Sequence, residues 1–241
     1  MVYILIPIYN EEANIEALAL SLLPALPGYK KFYVFVDDGS SDNSKSVIQT
    51  NFSSADFIIL GDGKNHGPGS SFNTGFEWIL QKSDSKDDTI VTMEGDNTSD
   101  INILPQMVKI SELGFDLVLS SIYAQGGAFD KTSMARKILS LLANTALRFF
   151  YGIKIQTLSS FYRVHKIELL RAIKSKYKTI ITEKGFICML ELLVKAIRLD
   201  AKIIEVPMVL YSKKRKGNSK MKLFKTSVEY FKFVSLKGSR F

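Results

Sequence analysis

Short apolar runs alternate with amphipathic segments along the first 120 residues of the chain. The runs are rich in valine, isoleucine, tyrosine and phenylalanine, a composition typical of buried strands. They predict strands over residues 2–8, 32–36, 56–60, 89–93 and 116–120. The amphipathic segments between them predict helices over residues 13–23, 44–51, 70–81 and 103–113. Strands and helices that alternate at this spacing form βαβ units, so we expect a mostly parallel central sheet with helices on both faces.

The pattern becomes less regular after residue 120. Here it predicts a long helix over residues 134–151, an extended segment over 159–164, a helix over 184–198 and short strands over 203–206 and 208–211. Six of the eleven residues from Ser212 to Lys222 are basic, and an amphipathic helix is expected over residues 221–236. Phe233 falls on the polar side of that helix.

Composition limits the chemistry that the chain can carry. The chain has 241 residues and a net charge of +8, which favours anionic partners such as nucleotides, lipid phosphates or an anionic membrane surface. Cys188 is the only cysteine, so a disulfide framework is excluded, and the two histidines, His66 and His165, are too far apart in sequence to suggest a zinc site. No run of 18 apolar residues predicts a membrane span.

Acidic residues follow three of the predicted strands. Glu11 follows the first strand, Asp37 and Asp38 end the second, and Glu94 and Asp96 follow the fourth. Ligands of parallel sheets bind at the carboxyl ends of strands, and carboxylates brought together there repel unless a cation lies among them. Because side chains two apart on a strand share a face, Glu94 and Asp96 are predicted to hold Mg²⁺ or Mn²⁺. The alternative is an acidic solvated turn.

Common nucleotide-binding motifs are absent. The loop around Gly67 and Gly69 has Phe72 at the third glycine position of a dinucleotide fingerprint and follows the third strand instead of the first. Gly63-Lys64 lacks the flanking residues of a Walker motif. We therefore expect the glycine loop to allow close backbone packing before a helix.

The order of the remaining motifs resembles that of family-2 glycosyltransferases of GT-A fold, most similarly those that act on dolichyl or polyprenyl phosphate. The segments that carry this resemblance span nearly the whole chain: Ile6–Glu11, Val36–Asp42, Asn65–Gly75, Met93–Asp96, Arg136 with Ser140 and Asn144, Ser159–Arg163, Gly185–Phe186 with Glu191, Glu205–Pro207 and Gly217–Lys220. The sequence departs from the family pattern at several positions. Glu94 replaces the first aspartate of Asp-x-Asp, Thr98 stands where relatives often have a stronger ligand, and Ile122 stands where the polyprenyl-phosphate enzymes have an arginine.

The resemblance implies a role for individual residues. It implies that donor binding involves Pro7, Tyr9, Glu11, Asp37, Asp38, Glu94, Gly95, Asp96 and Lys220. Asp38 would bond a base edge, and Glu94 and Asp96 would hold the metal on the diphosphate of a GDP- or UDP-hexose. Direct catalytic roles are implied for Asp96, Arg136, Arg163 and Glu191. The alternatives are a helix-capping turn for Asp37 and Asp38, and a paired core carboxylate for Glu191.

The acceptor implied by the resemblance is a polyprenyl phosphate. Such a nucleophile is already ionised near neutral pH, because the second pKa of a phosphate monoester is about 6, so it needs cations more than a general base. Arg136, Arg163 and Lys220 are the expected cations, and each has the alternative of an ordinary surface or ion-pair residue. A saccharide acceptor would instead need a base, for which Glu191 and Glu183 are the candidates. A non-catalytic nucleotide-binding protein or membrane adaptor is the third hypothesis.

The expected organisation is a single GT-A domain over residues 1–212. Residues 1–100 form its nucleotide-sugar and metal half and residues 101–212 its acceptor half, followed by a basic loop and amphipathic helix over 213–241. We expect a cytoplasmic protein that lies peripherally on the cytoplasmic face of a membrane, with the basic segment on anionic lipid. A separate membrane-anchoring subunit is a further expected partner, whereas a nucleic acid is not expected.

Overall fold

The computed structural model describes residues 1–130, 155–217, 220 and 233. Within them, seven strands form one sheet in the order β3-β2-β1-β4-β7-β5-β8. The strands are β1 (Val2–Ile8), β2 (Lys31–Asp37), β3 (Phe57–Leu60), β4 (Thr89–Thr92), β5 (Leu117–Ser121), β7 (Arg163–Lys166) and β8 (Ile203–Pro207). Strand β7 is antiparallel to both of its neighbours, β4 and β5, and every other neighbouring pair is parallel. The prediction of a mostly parallel α/β sheet is therefore confirmed.

Six described α-helices connect or follow these strands. They are α1 (Glu12–Leu22), α2 (Ser44–Asn51), α3 (Pro68–Lys82), α4 (Leu104–Glu112), α5 (Ile167–Tyr177) and α6 (Cys188–Ile197). A short 3₁₀ turn, Ile101–Ile103, precedes α4, and a two-stranded sheet pairs β6 (Ala128–Phe129) with β9 (Val209–Leu210). The sequence pattern did not predict α5, and α6 begins four residues later than expected.

Two apolar clusters cover the two faces of the sheet. One contains alternate residues of β1 and β2, such as Leu5 and Val34, together with residues of α3, α5 and α6. The other contains the intervening residues, such as Ile4 and Phe35, together with residues of α1, α2 and α4. Because successive side chains of a strand point to opposite faces, this division explains why the central strands are apolar throughout. The polar loops are thus confined to the edges of the sheet.

Glycines allow α3 to approach its neighbours closely. A β-carbon on Gly69 would lie 1.8 Å from the carbonyl oxygen of Glu183, and one on Gly75 would lie 2.1 Å from Cδ1 of Leu5. The N–H of Gly69 also donates to the carbonyl of Lys184 at 2.8 Å. These contacts confirm the prediction that the glycine loop serves close backbone packing, and they connect the start of α3 to the segment that precedes α6.

Two expectations for the second half of the chain fall largely outside the described residues. The predicted helix over 134–151, with Arg136, Ser140 and Asn144, lies there completely. Of the predicted C-terminal helix only Phe233 is described, and its side chain is buried in the cluster that contains α3, α5 and α6. In the described part of the chain, no helix combines the length and apolar character needed to cross a bilayer.

Candidate functional site

The loops that follow β1 and β2 are joined at the carboxyl edge of the sheet. Side chains from the β2–α2 loop and the first residue of α2 accept hydrogen bonds from three backbone N–H groups in the β1–α1 loop and the first residue of α1. The donor–acceptor pairs are Asn10 N to Ser40 Oγ (2.9 Å), Glu11 N to Ser44 Oγ (2.9 Å) and Glu12 N to Asp42 Oδ2 (3.1 Å). Asn10 has a φ of 53°, the left-handed conformation that asparagine tolerates better than most residues. This pairing holds Glu11 beside the ends of β1 and β2.

Pro7 and Tyr9 lie at the same edge. Pro7 is half-buried within β1, opposite Val36 of β2, and Tyr9 is one of the few large apolar side chains that the described structure leaves exposed. An exposed aromatic ring beside polar loops provides a flat surface on which a nucleobase can stack. Their predicted place in a nucleotide pocket is consistent with this position and stays a prediction.

Asp37 and Asp38 are both buried where β2 ends. Oδ1 of Asp38 accepts from the N–H of His66 at 2.7 Å, and Oδ2 accepts from the N–H of Gly67 at 3.0 Å. Oδ2 of Asp37 lies 3.1 Å from Nζ of Lys45 without the geometry of a hydrogen bond. Asp38 thus fixes the loop before α3, and its predicted hydrogen bond to a base edge stays a prediction.

A cavity of about 380 Å³ opens beside these aspartates. It lies between the ends of β2 and β3 and the first turns of α3, and its lining includes Asp37, Asp38, Gly61, His66, Ser71 and Thr74. This volume falls in the range of small-molecule sites, and the lining offers hydroxyl, amide and carboxylate groups that can bond a polar ring. The cavity therefore provides room for part of a nucleotide.

Glu94 and Asp96 lie in a loop and not on a strand, because β4 ends at Thr92. Strand alternation was the predicted reason why Glu94 and Asp96 would share a face, and that reason is wrong. Gly95, between them, packs so closely on β1 that a β-carbon would lie 2.9 Å from Cδ1 of Ile8. Burial, and next the negative charge of Asp96, raise the pKa of Glu94 above its ordinary value. The charge of Asp96 therefore acts on Glu94, and their joint role as metal ligands stays a prediction.

Asp96 has a different partner at each carboxylate oxygen. Oδ1 accepts from the N–H of Thr98 at 3.1 Å and from the Thr98 hydroxyl at 2.6 Å. Oδ2 accepts from Nε of Arg215 at 2.7 Å and also from Nη2 of the same guanidinium. Glu94 has its own local donor, the hydroxyl of Ser99, at 2.8 Å. The loop thus orients Asp96 so that its Oδ2 contacts the guanidinium of Arg215.

Glu11 and Lys220 form a second ion pair at this edge. Nζ of Lys220 donates to Oε1 of Glu11 and, at 2.8 Å, to the carbonyl of Asn10, while Nδ2 of Asn14 donates to Oε2 of Glu11 at 2.6 Å. Burial raises the pKa of Glu11, although the hydrogen bond from Lys220 acts in the opposite direction. The charge of Asp96 adds to the upward shift in the pKa of Glu11, which brings this acid into the same electrostatic environment as the acids after β4.

These acids fit a divalent cation that is shared with a substrate. Among the residues that the structure describes, no group of three or more His, Cys, Asp or Glu side chains is arranged to hold a metal alone. Mg²⁺ and Mn²⁺ are commonly held by one or two carboxylates, and substrate phosphates and water complete the coordination. The guanidinium on Oδ2 of Asp96 shows that a positive charge is stable at that oxygen. Asp96 and Glu94 are thus the residues that would hold such an ion.

Arg163 is too deeply buried for the predicted contact with an acceptor phosphate. Its side chain is fully buried, and its guanidinium donates to the carbonyls of Ser160 (2.7 Å), Met189 (2.8 Å) and Leu158 (2.8 Å). A planar group with five fixed donors is well suited to joining several carbonyl groups. Arg163 therefore holds the segment before β7 against the start of α6, and direct contact with a phosphate does not fit this burial.

Glu191 is also fully buried and bonded. Its carboxylate accepts from the N–H of Thr182 (2.9 and 3.0 Å), the Thr182 hydroxyl (2.7 Å) and the N–H of Glu183 (2.8 Å), and it pairs with Lys195 at 2.7 Å. Nζ of Lys195 in turn donates to the carbonyls of Thr179 and Ile180, each at 3.0 Å. This arrangement agrees with the alternative of a paired core carboxylate and leaves Glu191 poorly placed to act as a base.

Sequence reasoning placed Lys220 at the site but missed Arg215. Arg215 lies in the basic run that was assigned to lipid, and 119 positions separate it from Asp96. No periodicity or motif links the two residues, so only the folded chain reveals their contact. Arg136 lies outside the described residues, and its role stays a prediction.

The mostly parallel sheet, with antiparallel β7 between β4 and β5, is an α/β fold of GT-A type. The sequence model of glycosyl transferase family 2 matches residues 3–174, which is well over half of the chain. The chain therefore belongs to glycosyl transferase family 2 and is a glycosyltransferase.

Curated relatives share 27–28% of aligned residues with this chain. A polyprenol monophosphomannose synthase of Mycolicibacterium smegmatis is 28% identical over 227 residues, which cover 90% of this chain and 80% of that protein. An undecaprenyl-phosphate mannosyltransferase of Micrococcus luteus is 28% identical over 90% of this chain and 86% of its own. A dolichol-phosphate mannosyltransferase of Pyrococcus furiosus is 27% identical over 97% of this chain and 62% of its own.

Solved structures support the fold. Glucosyl-3-phosphoglycerate synthase from Mycobacterium tuberculosis, in complex with Mn²⁺, UDP-glucose and phosphoglyceric acid, superposes with a TM-score of 0.71. It is 18% identical, and the match covers 99% of this chain and 80% of that one. At this identity the likeness concerns the fold alone.

Proposed function

We propose that this protein transfers a hexose from GDP- or UDP-hexose to a polyprenyl phosphate of dolichyl type, with Mg²⁺ or Mn²⁺ as cofactor and inversion at the anomeric carbon. The observation that carries the proposal is the position of Oδ2 of Asp96 at the carboxyl edge of the sheet. This oxygen lies beside Glu94 and binds a positive charge, the guanidinium of Arg215. The names of the relatives described above support the acceptor class. The Mn²⁺ and UDP-glucose named for the glucosyl-3-phosphoglycerate synthase support the cofactor and donor classes.

In this proposal the donor lies across the ends of β1, β2 and β4. Tyr9 and the cavity beside Asp38 take the nucleoside, and Glu94 and Asp96 face its diphosphate. A divalent cation bound there would neutralise charge that develops on the leaving nucleoside diphosphate. Residues 1–100 thus form the donor half of the predicted domain, and residues 101–212 shape the acceptor half.

The burial and hydrogen bonding of Glu191 favour a phosphate acceptor over a saccharide acceptor. A sugar hydroxyl has to lose a proton during transfer and needs a base, whereas a phosphate oxygen attacks the anomeric carbon directly. Direct displacement by that oxygen inverts the carbon and releases the nucleoside diphosphate. Since Glu191 is buried and bonded to residues 182–183, it is poorly placed to be that base, which favours a phosphate acceptor.

We place the reaction at the cytoplasmic face of a membrane, where the lipid acceptor is available. The basic segment over residues 212–222 contributes attraction to an anionic leaflet, at roughly 1 kcal/mol per basic residue near the surface. A separate membrane-anchoring subunit remains a predicted partner.

The test is a transfer assay with a panel of labelled GDP- and UDP-hexoses, Mn²⁺ or Mg²⁺, and short polyprenyl phosphates. We expect a chloroform-soluble labelled product whose anomeric configuration, measured by NMR, is opposite to that of the donor. Asp96→Asn should lower the rate at least about a hundredfold, because it removes a charge that holds the cation. Asp87→Asn is the matched control, since Asp87 is exposed and precedes β4 at the opposite edge of the sheet. Product formation that is unaffected by chelation of metal or by Asp96→Asn would contradict the proposed mechanism.

A further inference from the structure

The segment Tyr211–Gly217, here called the strap, is fixed across the acidic site. Its first N–H, that of Tyr211, donates to the carbonyl of Thr98 at 3.0 Å, in the loop that contains Asp96. Lys216 exchanges two hydrogen bonds with Asn14 of α1: its N–H donates to Oδ1 at 2.8 Å, and its carbonyl accepts from Nδ2 at 3.0 Å. The strap thus bridges the loop after β4 and the first turn of α1.

These anchors place Arg215 on Asp96. Both Nε and Nη2 of Arg215 donate to Oδ2, and the two side chains are 23% and 10% exposed. Since the other carboxylate oxygen is bonded to Thr98, Oδ2 is the oxygen of Asp96 that faces a cation. The position that a metal requires at Asp96 is therefore the position that Arg215 holds.

We propose that Arg215 is a built-in competitor of the divalent cation, so that the strap closes the acidic site of the free enzyme until a metal displaces the guanidinium. This inference rests on the function proposed above. A guanidinium and a divalent ion cannot share Oδ2 of Asp96, because like charges at contact distance repel strongly and each needs the same lone pairs. Once displaced, Arg215 lies beside the diphosphate that accompanies the metal, an anion that its planar donors fit.

A second contact supports the closed state. Lys220, beyond the strap, pairs with Glu11 and bonds the carbonyl of Asn10. Cations from one basic segment therefore neutralise acids from two separate loops, one after β1 and one after β4. The described Arg215 and Lys220 therefore point inward, toward these acids.

The experiment is a titration with Mn²⁺ alone, followed by the electron paramagnetic resonance signal of free Mn²⁺. It compares the wild-type chain with Arg215→Gln, Lys214→Gln and Asp96→Asn. Lys214 is the matched control, because it lies in the same strap and carries the same charge, but its Nζ lies 4.2 Å from the centre of the Tyr211 ring. We expect Arg215→Gln to bind Mn²⁺ about tenfold more tightly, since loss of a partly buried pair is worth roughly one factor of ten. Lys214→Gln should stay within about twofold of wild type.

Three other results would overturn the inference. If Arg215→Gln binds Mn²⁺ no more tightly than wild type while Asp96→Asn loses binding, the metal site stands and the competition does not. If both glutamine variants tighten equally, net charge and not the contact with Asp96 controls affinity. If no form of the protein binds Mn²⁺, even after addition of UDP or GDP, the inference and the metal dependence of the proposed function both fail.

Discussion

Glu191 offers a direct test of whether a buried acid of this enzyme supports the fold or the chemistry. Its carboxylate is fully buried, meets three donors of residues 182–183 and pairs with Lys195, which is itself almost fully buried. Replacement by glutamine keeps the shape but leaves the Lys195 charge without its counter-charge. Breaking a buried pair by removing one partner costs about 3–5 kcal/mol. We therefore expect Glu191→Gln to lower the free energy of unfolding by this amount.

The size of the loss can be measured by urea unfolding. Trp78, the only tryptophan, stacks on Phe32 with ring centroids 5.4 Å apart and reports loss of packing through its fluorescence. With an m-value of about 3 kcal/mol/M, the midpoint of unfolding should fall by roughly 1–1.7 M urea. Lys195→Met should cost less, because Glu191 keeps its bonds to residues 182–183, and the double variant should reveal a coupling energy of about 2 kcal/mol.

The control is Glu168→Gln, the same change at an exposed position in the first turn of α5. It should alter the free energy of unfolding by no more than about 0.5 kcal/mol. The structural reasoning is refuted if Glu191→Gln unfolds like the wild type yet loses transfer activity, because Glu191 would then act on the substrate. Retained stability and retained activity together would show that the pair contributes little.

Two further predictions concern pH and packing. Burial lowers the pKa of His165 well below its ordinary value of 6.5, so below that pH the unfolded chain binds a proton that the folded chain does not. Stability should therefore fall as pH drops below about 6.5, and His165→Gln should weaken this dependence in urea titrations at several pH values. Gly69→Ala should lower the free energy of unfolding by at least about 2 kcal/mol, because its β-carbon would overlap the carbonyl of Glu183. Ser70→Ala on the same turn should have little effect in thermal unfolding, and equal effects of the two changes would contradict the packing argument.

Hydrophobic pattern predicted much of the first half of the fold. The observed bounds of β1 and α2 agree with those expected, β2 is longer by one residue at each end, and β3 begins one residue later. Strands buried on both faces leave a strong signal, because each residue along them must be apolar. The position of antiparallel β7 between β4 and β5 left no such signal, since strand order depends on contacts far apart in sequence.

The errors in the second half have identifiable causes. Helix α5 was predictable, because Ile167, Leu170 and Ile173 follow a helical period and are all buried. The late start of α6 was not, because the carbonyl of Lys184 accepts a hydrogen bond from the N–H of Gly69, at the start of α3. That contact joins residues far apart in sequence.

The candidate site also has a part that the sequence predicted and a part that it did not. The acids were predictable, because strand ends of a parallel sheet meet at one edge. Their partners were not: Arg163, assigned to a phosphate, binds carbonyls in the core, while Arg215, assigned to lipid, binds Asp96. An arginine in sequence carries no information about which of these anions or carbonyls it will reach.

Thr98 explains how the site orients its acid without a strand. Asn97 has a φ of 63°, and this left-handed residue turns the chain so that both the N–H and the hydroxyl of Thr98 donate to Oδ1 of Asp96. Two donors on one oxygen fix the rotamer of the carboxylate and direct the other oxygen outward. Thr98 therefore orients the carboxylate that binds a cation and need not contact the cation itself. The family resemblance had marked position 98 only as one where relatives often have a stronger ligand. The orientation of the acidic site depends on this three-residue turn, and so does the choice between Arg215 and a metal at Oδ2.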